Sequence, residues 1–409
     1  MKNLKNLYKI NCKYFIFKNY IMRNTILHIS HTHISKTESR IMKQLEDIKK
    51  IFSDYNIITI SIRKESKYNN DLFPLKGIKD LSFSLKTKKL FFIPKFIRYF
   101  LNYIELLIRS IFIIHKNKIK IKIVHCHFFT VLPIGYIIKL LFNCKLVYDA
   151  HELESEKSFV KYSKLIFFIE KFLWKKIDLF ITVSPSILNW YNKRFGKKKN
   201  SIVVTNSPKI KNITKIKQGT LRKKLKISQN DLIFIYVGGF QYGRGIHHML
   251  KVFSNSSTKS HLVFVGYGIL EKDIKKFSNK FNNIHILKPV PHNELVQFIS
   301  SANVGLSIIE KVSLSDFYCL PNKFFEYAFA NLHILASNFP DMKKLVKFYS
   351  LGKCISPNIK SLTREVKSIE NNKNKIKVFK KNLTNLSWEA QSLKLIENYK
   401  KITHKNQFF

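Results

Sequence analysis

The chain has 409 residues, 45% of them hydrophobic, and a formal net charge of +47. That length exceeds one ordinary core and asks for two domains, and the apolar content excludes a wholly disordered chain. Sixty-four lysines against nine arginines, spread evenly, make a poor nucleic-acid footprint, so the excess reads as compositional drift with some attraction to an anionic membrane surface, and no specific nucleic-acid partner is expected.

Five scattered cysteines without a C-x-x-C pair support neither a zinc site nor a disulfide framework, and a reducing, cytoplasmic compartment follows. Residues 1–21 are basic and interrupted by Lys13 and Lys18, and read as an N-terminal extension rather than a signal peptide. No uncharged run reaches membrane-span length. From Thr25 the chain alternates strand and helix. Strands are expected at Thr25–Ser30, Tyr55–Ile62, Ile121–His125, Lys145–Tyr148, Asp178–Val183 and Ser201–Val204, with an amphipathic helix over Ser39–Ile51. The stretch from Ile62 to about Leu90 is poorly patterned. Ser184 followed by Pro185 predicts an N-cap and first helical residue.

Residues 206–230 are polar and lysine-rich and read as a linker, after which the pattern restarts. Strands are expected at Leu232–Val237, His261–Val265, Ile284–Leu287, Val304–Ser307 and Leu332–Ser337, then a last helix from about Ser387 to Tyr399. The expected organisation is an extension (1–21), a first α/β domain (22–205), a linker (206–230), a second α/β domain (231–385) and a terminal helix and tail (386–409). Two doubly wound parallel sheets place a ligand at the carboxyl ends of their strands. Phe96–Ile114 and Lys164–Trp174 are basic and strongly apolar. Each suits either an anionic membrane surface or the covering of a sheet.

Chemistry is sought at strand ends. Gly238-Gly239 closes one strand, and Gly239 lets a diphosphate approach the backbone. Arg244 at the following turn offers a forked cation to the same phosphates. In Pro321-Asn322-Lys323-Phe324-Phe325-Glu326, Pro321 suits a first helical turn. Asn322 and Lys323 sit where amides and dipole favour an anion, and Glu326 shares Lys323's face at i+3. Phosphates at one end and ribose hydroxyls at the other fit that helix. An ordinary buried helix with a surface ion pair fits it too. Gly266-Tyr267-Gly268 is a truncated dinucleotide fingerprint and reads as a tight turn. No P-loop and no Asp-x-Asp pair is present, so charge neutralisation falls to Arg and Lys, and no metal is expected. His125 and His127 end one strand, and Asp149, His151 and Glu152 another. His127 is read either as a contact to bound substrate or as a structural hydrogen-bonding group, and Glu152 alternatively as the acidic start of a helix.

Together these pieces resemble the family-4 (group 1) glycosyltransferases with the two-domain GT-B fold, from about Thr25 to Tyr399. The residues that carry it are Ser39-Arg40-Ile41, His125-Cys126-His127, Tyr148-Asp149-Ala150-His151-Glu152, Val183-Ser184, Gly239, Arg244-Gly245, Gly266-x-Gly268, Pro291-x-x-Glu294-Leu295, Pro321 to Tyr327, and Trp388. The resemblance implies transfer of a sugar, with retained configuration, from a nucleotide-diphosphate sugar to a glycan or lipid-linked acceptor in cell-surface polysaccharide or lipopolysaccharide synthesis. It also implies a terminal helix crossing back to the first domain. Arg244, Lys323, Glu326 and His127 become the catalytic set, with Gly239, Gly245, Pro291 and Asn322 on the donor and Asp149, His151 and Glu152 on the acceptor side. No cofactor is implied beyond the donor substrate, and the enzyme is expected in the cytoplasm, peripheral at the inner face of the membrane through 96–114. Tyr318 stands where the family's first acid of E-x7-E belongs, Asn331 where it has glycine, and Phe128 where an acid often follows. Asn331 tolerates a left-handed cap. Rival readings are a sugar-nucleotide epimerase or hydrolase on the same scaffold, and a non-enzymatic basic binding protein.

Overall fold

A computed structural model describes residues 23–34, 39–63, 75–158, 162–209, 220–376 and 382–404. The expected extension 1–21 and residues 210–219 of the expected linker lie outside them. Among the described residues thirteen strands form two wholly parallel sheets. The first contains β1 (Thr25–Ser30), β2 (Asn56–Ser61), β3 (Lys79–Asp80), β4 (Ile121–His127), β5 (Lys145–Ala150), β6 (Leu179–Thr182) and β7 (Ser201–Val203) in the order β3-β2-β1-β4-β5-β6-β7. The second contains β8 (Ile233–Gly239), β9 (His261–Tyr267), β10 (Ile284–Leu287), β11 (Val304–Ser307), β12 (His333–Ser337) and β13 (Gly352–Ile355) in the order β10-β9-β8-β11-β12-β13. In both, the order reverses beside the first strand. This is the doubly wound switch point at which such sheets bind ligands. The fold is the expected GT-B type.

Alternation decides which side chains meet. In the first sheet Leu27, Ile29, Val124, Leu146 and Tyr148 face the helices Lys95–Lys116, Leu132–Phe142, Ser163–Trp174 and Pro185–Phe195. The opposite face carries Ile26, Ile123 and Val147, and is covered by the helix Ser39–Ile51 and the last helix, Trp388–His404. That last helix therefore does cross back, with Trp388 Nε1 donating to Asp47 at 2.6 Å and the Tyr399 hydroxyl against His125. Ser184 caps Pro185–Phe195 by accepting from the Ile187 amide, as its sequence predicts.

Three local expectations change. β3 and the single bridge Ile62–Phe83 lie within the stretch that lacked a pattern. A two-residue edge strand is too short to show period-two alternation. β13 was also missed, for a similar reason: its four residues GKCI do not alternate clearly. Within the expected linker, Thr220–Leu225 is helical. Leu221 is buried in the second core, and Arg222 donates to the carbonyls of Ser228, Asp231 and Ser301. The lysines around these residues masked their anchoring role.

Glu170 shows how burial overrides charge. It is buried beneath the helix Ser163–Trp174, and one of its oxygens accepts from both Tyr148 (2.7 Å) and Tyr191 (2.5 Å). Burial pushes its carboxyl up to about 8, the tyrosines pulling only partly against it. The raised value means that its contribution to stability is complete below the unfolded value of about 4.5 and is lost as pH rises toward 8. Urea unfolding at pH 5 and pH 8 should therefore show Glu170→Gln gaining on the parent protein by several kcal/mol across that interval, at about 1.4 kcal/mol per pH unit. An unchanged gap would mean that Glu170 stays ionised in the fold.

Candidate functional site

The residues expected on the donor side come from three strand ends of the second sheet. Gly238, the penultimate residue of β8, has φ +125°, a conformation that favours glycine. The turn that follows places Gly243 (φ +75°) and Gly245 (φ +68°) on either side of Arg244. A Cβ on Gly245 would lie 2.8 Å from the Ile308 side chain and 2.9 Å from its carbonyl, so the loop folds tightly against the end of β11. At Gly239 a Cβ would meet nothing closer than Gln241 at 3.7 Å. A Cβ on Gly238 would likewise meet nothing closer than Lys323 at 3.7 Å, so the demand for glycine falls on Gly238 through its positive φ and not through space.

The helix Asn322–Phe329 starts at this same end. Pro321 is its N-cap, one residue before the expected first turn, and no side chain caps the start. Asn322 is exposed, whereas Lys323 is buried, with its ammonium 3.5 Å above the Tyr236 ring and beside Gly238. Burial, reinforced by the nearby Arg244 charge, holds the Lys323 amine well below its ordinary range. Glu326 lies one turn further and is also buried. Its nearest basic side chain, at 3.5 Å, is His292 and not Lys323, and burial raises its carboxyl against the pull of His292, Lys43 and Lys323. His292 begins the helix His292–Ile299, which Pro291 caps, so Pro291 reaches the site through its neighbour. Beyond Ala330, the C-cap of Asn322–Phe329, Asn331 takes φ +63°, the left-handed conformation expected of it.

Arg244 is held 3.3 Å from Asp316, whose other oxygen accepts from Ser158 of the first half at 3.2 Å. The turn 313–318 docks further through Ser315, which accepts from the Leu153 amide, and through the Tyr318 carbonyl, which accepts from Ser184 at 2.7 Å. The Tyr318 side chain packs against the first core. The place of the expected first acid is thus taken by a half-buried ring that joins the two halves.

Across the cleft, register builds a second polar cluster. β1 and β4 place His28 beside His125, and β4 and β5 place His127 beside Asp149, all on the face under the helices Ser39–Ile51 and Trp388–His404. His28 Nδ1 and His127 Nε2 share a hydrogen bond at 3.0 Å. Asp149 is gripped by Arg40 through two bonds of 2.8 and 3.0 Å and accepts a third from Gln44. Burial opposes its charge, yet Arg40, His151 and His127 hold its carboxyl well below the usual range. His127 is fully buried, and that burial lowers its imidazole to about 4 despite Asp149.

The four acceptor-side and cleft expectations therefore separate. His127 and Asp149 lie sealed within this cluster. His151 borders the cleft, with its ring 4.0 Å from Phe128. Glu152 is exposed and pairs with Lys157 at 3.2 Å. Phe128 itself adopts φ +73°, a strained conformation for a bulky residue, and its amide bonds to the Asp149 carbonyl.

Among the described residues, His28, His125 and His127, or His127, Asp149 and His151, bring ligand atoms close enough for a metal ion. The first three rings are stacked or tilted over one another with centroids 4.2–5.3 Å apart, and two of their nitrogens already share a proton. Asp149 is committed to Arg40. The set is thereby fitted to a hydrogen-bonded network rather than to a converging coordination shell. His28, Tyr236, His292 and Asp316 are site neighbours that sequence reasoning passed over. Only the position of Tyr236 and His292 near strand ends could have flagged them.

Comparison with known proteins agrees with this architecture. Residues 217–385 match the family model for glycosyl transferases group 1, and residues 82–207 match that for glycosyltransferase family 4. An uncharacterised glycosyltransferase of Methanocaldococcus jannaschii is 24% identical over 214 residues, 48% of this chain, and the match spans about half (53%) of that protein. Among solved structures, sucrose-phosphate synthase of Thermosynechococcus elongatus superposes with a TM-score of 0.74 at 14% identity, over 93% of this chain and 99% of the other. Anabaena HepE, solved with UDP-glucose, gives 0.69 at 12% identity, over 92% and 99%.

Proposed function

Because the chain belongs to the group 1 and family 4 glycosyltransferases, we propose that it transfers a sugar from a nucleotide-diphosphate sugar, with retention of configuration, to a glycan or lipid-linked acceptor. The observation that carries this is Lys323: a buried ammonium that rests on an aromatic face, not on a carboxylate, at an uncapped helix start beside Arg244. Two cations at the end of a parallel sheet, of which only Arg244 is held by a carboxylate, are complementary to a diphosphate. Glu326, one turn on, takes the ribose hydroxyls in this reading.

In this reading the leaving diphosphate gains charge as the glycosidic bond breaks, and Lys323, Arg244 and the helix-start amides stabilise it most at that moment. The acceptor hydroxyl attacks on the face from which the diphosphate departs, and the diphosphate takes its proton. Cationic side chains supply the neutralisation that a metal gives elsewhere, so turnover is expected without one. Asp316 must release Arg244 when the donor arrives. Work in polysaccharide or lipopolysaccharide synthesis, at the inner membrane face, fits the basic apolar helices of the first half.

HepE's UDP-glucose complex makes UDP-sugars the first donors to test. Incubation with a panel of nucleotide sugars and membrane acceptors, in EDTA, should release nucleoside diphosphate with one donor and extend an acceptor. Release of free sugar without extension would favour the epimerase or hydrolase reading. Silence with every donor would count against the enzyme.

A further inference from the structure

The proposed phosphate site is not purely cationic. Asp316 lies 3.3 Å from Arg244, and Glu310 accepts from the Gly245 amide at 3.1 Å. Burial pushes the neighbouring Cys319 thiol up to about 12, and the charges of Arg244, Asp316, Glu152 and Lys323 all reach it. These four groups therefore share one small space. Glu152 is engaged by Lys157, and Glu310 by a backbone amide. Of these acids, Asp316 is the one that sets its charge directly against a cation the donor needs.

Asp316 is not a loose surface group. Its side chain is 18% exposed, and one oxygen accepts from Ser313 at 2.7 Å and from Ser158 of the first half at 3.2 Å. Ser313 in turn caps the short helix by accepting from the Asp316 amide. Held from both halves, the carboxylate stays in place when a diphosphate draws Arg244 away. It then stands beside the phosphates as a fixed negative charge. In a half-buried site such a charge opposes a second anion far more than it does in water.

That opposition acts unequally on the two nucleotides that the proposed reaction interchanges. The donor's diphosphate is esterified at both ends and carries two charges. When the glycosidic C–O bond breaks, its electron pair stays on the terminal phosphate oxygen. The proton taken from the acceptor hydroxyl is lost to water above about pH 6, the second ionisation of a phosphate monoester, so the product carries three charges. We infer that Asp316 is a positioning residue for product release: its fixed charge beside Arg244 expels the nucleoside diphosphate more strongly than it opposes the nucleotide sugar. Lys323 and Arg244 thus serve the bond-breaking step without retaining their most highly charged ligand. This rests on the donor site proposed above, and the two fail by different results.

Calorimetric titration at about pH 8, where the product is fully ionised, compares the parent with Asp316→Asn and Ser158→Ala. The ligands are UDP, GDP and ADP, then a nucleotide sugar of whichever base binds. Asp316→Asn keeps an acceptor for Ser313 and loses the charge. It should bind the nucleoside diphosphate about tenfold more tightly than the parent, and the nucleotide sugar only about threefold. Ser158→Ala keeps the charge, removes the contact with the first half, and should bind both as the parent does. Equal tightening of both ligands, or the same tightening in Ser158→Ala, would show packing of the turn at work and overturn the proposal. Unchanged affinities in Asp316→Asn would overturn it too, and leave the donor site standing. No binding of any nucleoside diphosphate by parent or variant would sink the donor site and the proposal with it.

Discussion

Replacing Lys323 by alanine is expected to lower kcat/KM by about 10²–10³-fold, the loss typical of removing one preorganised group that stabilises transition-state charge. Arg244→Ala should act in the same direction. Stability should separate the two. The Lys323 ammonium is buried over Tyr236, and Arg244 repels it, so its amine is already held below its ordinary range. Removing a buried cation that lacks a carboxylate relieves a desolvation cost. Lys323→Ala should therefore melt at the same temperature as the parent or above it while losing turnover. Arg244, by contrast, is tied to Asp316 and is a third exposed. Its loss frees Asp316 and slackens the contact with Ser158. Steady-state kinetics with the donor found active, beside thermal melts, checks both. Normal turnover in Lys323→Ala would remove the main support for the donor site.

Arg40→Ala is expected to destabilise the fold by about 3–5 kcal/mol, the cost of leaving a buried charge without its partner. Asp149 has no exposure and takes three bonds from Arg40 and Gln44, while Arg40 also donates to the Val204 carbonyl at 2.6 Å. Asp149→Asn should cost a similar amount, because Arg40 is then the uncompensated ion. The double change Arg40→Met with Asp149→Leu should recover much of the loss, since an apolar pair of similar volume removes both desolvation costs. Urea midpoints measure all three. If Asp149 instead contacted the acceptor, Asp149→Asn would leave the midpoint in place and raise the acceptor KM.

The residues expected on the donor side were more legible in the sequence than those expected on the acceptor side. Pro321 to Glu326 is a continuous run on one helix, and the glycines around Arg244 occupy a single turn. Local spacing therefore carried the information. Asn331 was readable for the same reason, because a left-handed cap needs only the right residue after a helix. The acceptor side was opaque because its partners are remote in sequence. Strand alternation put His125 and His127 on one side, but not that this side would be closed by Arg40, Gln44 and Tyr399 from two distant helices. Depth depends on what covers a strand, and period-two patterning is silent about that.

By itself the sequence determined two parallel α/β sheets, a terminal helix with Trp388, and a helix start at Asn322 and Lys323. These follow from residue periodicity and composition, which act within a few turns. Only the tertiary structure decided that Glu326 lies nearest His292 rather than Lys323, that Tyr318 joins the halves where an acid was expected, and that His127 and Asp149 are sealed away from the cleft. The physical reason is common to all three. Strand order and crossover direction choose which side chains share a low-dielectric space, and within it a charge takes whichever partner is nearest.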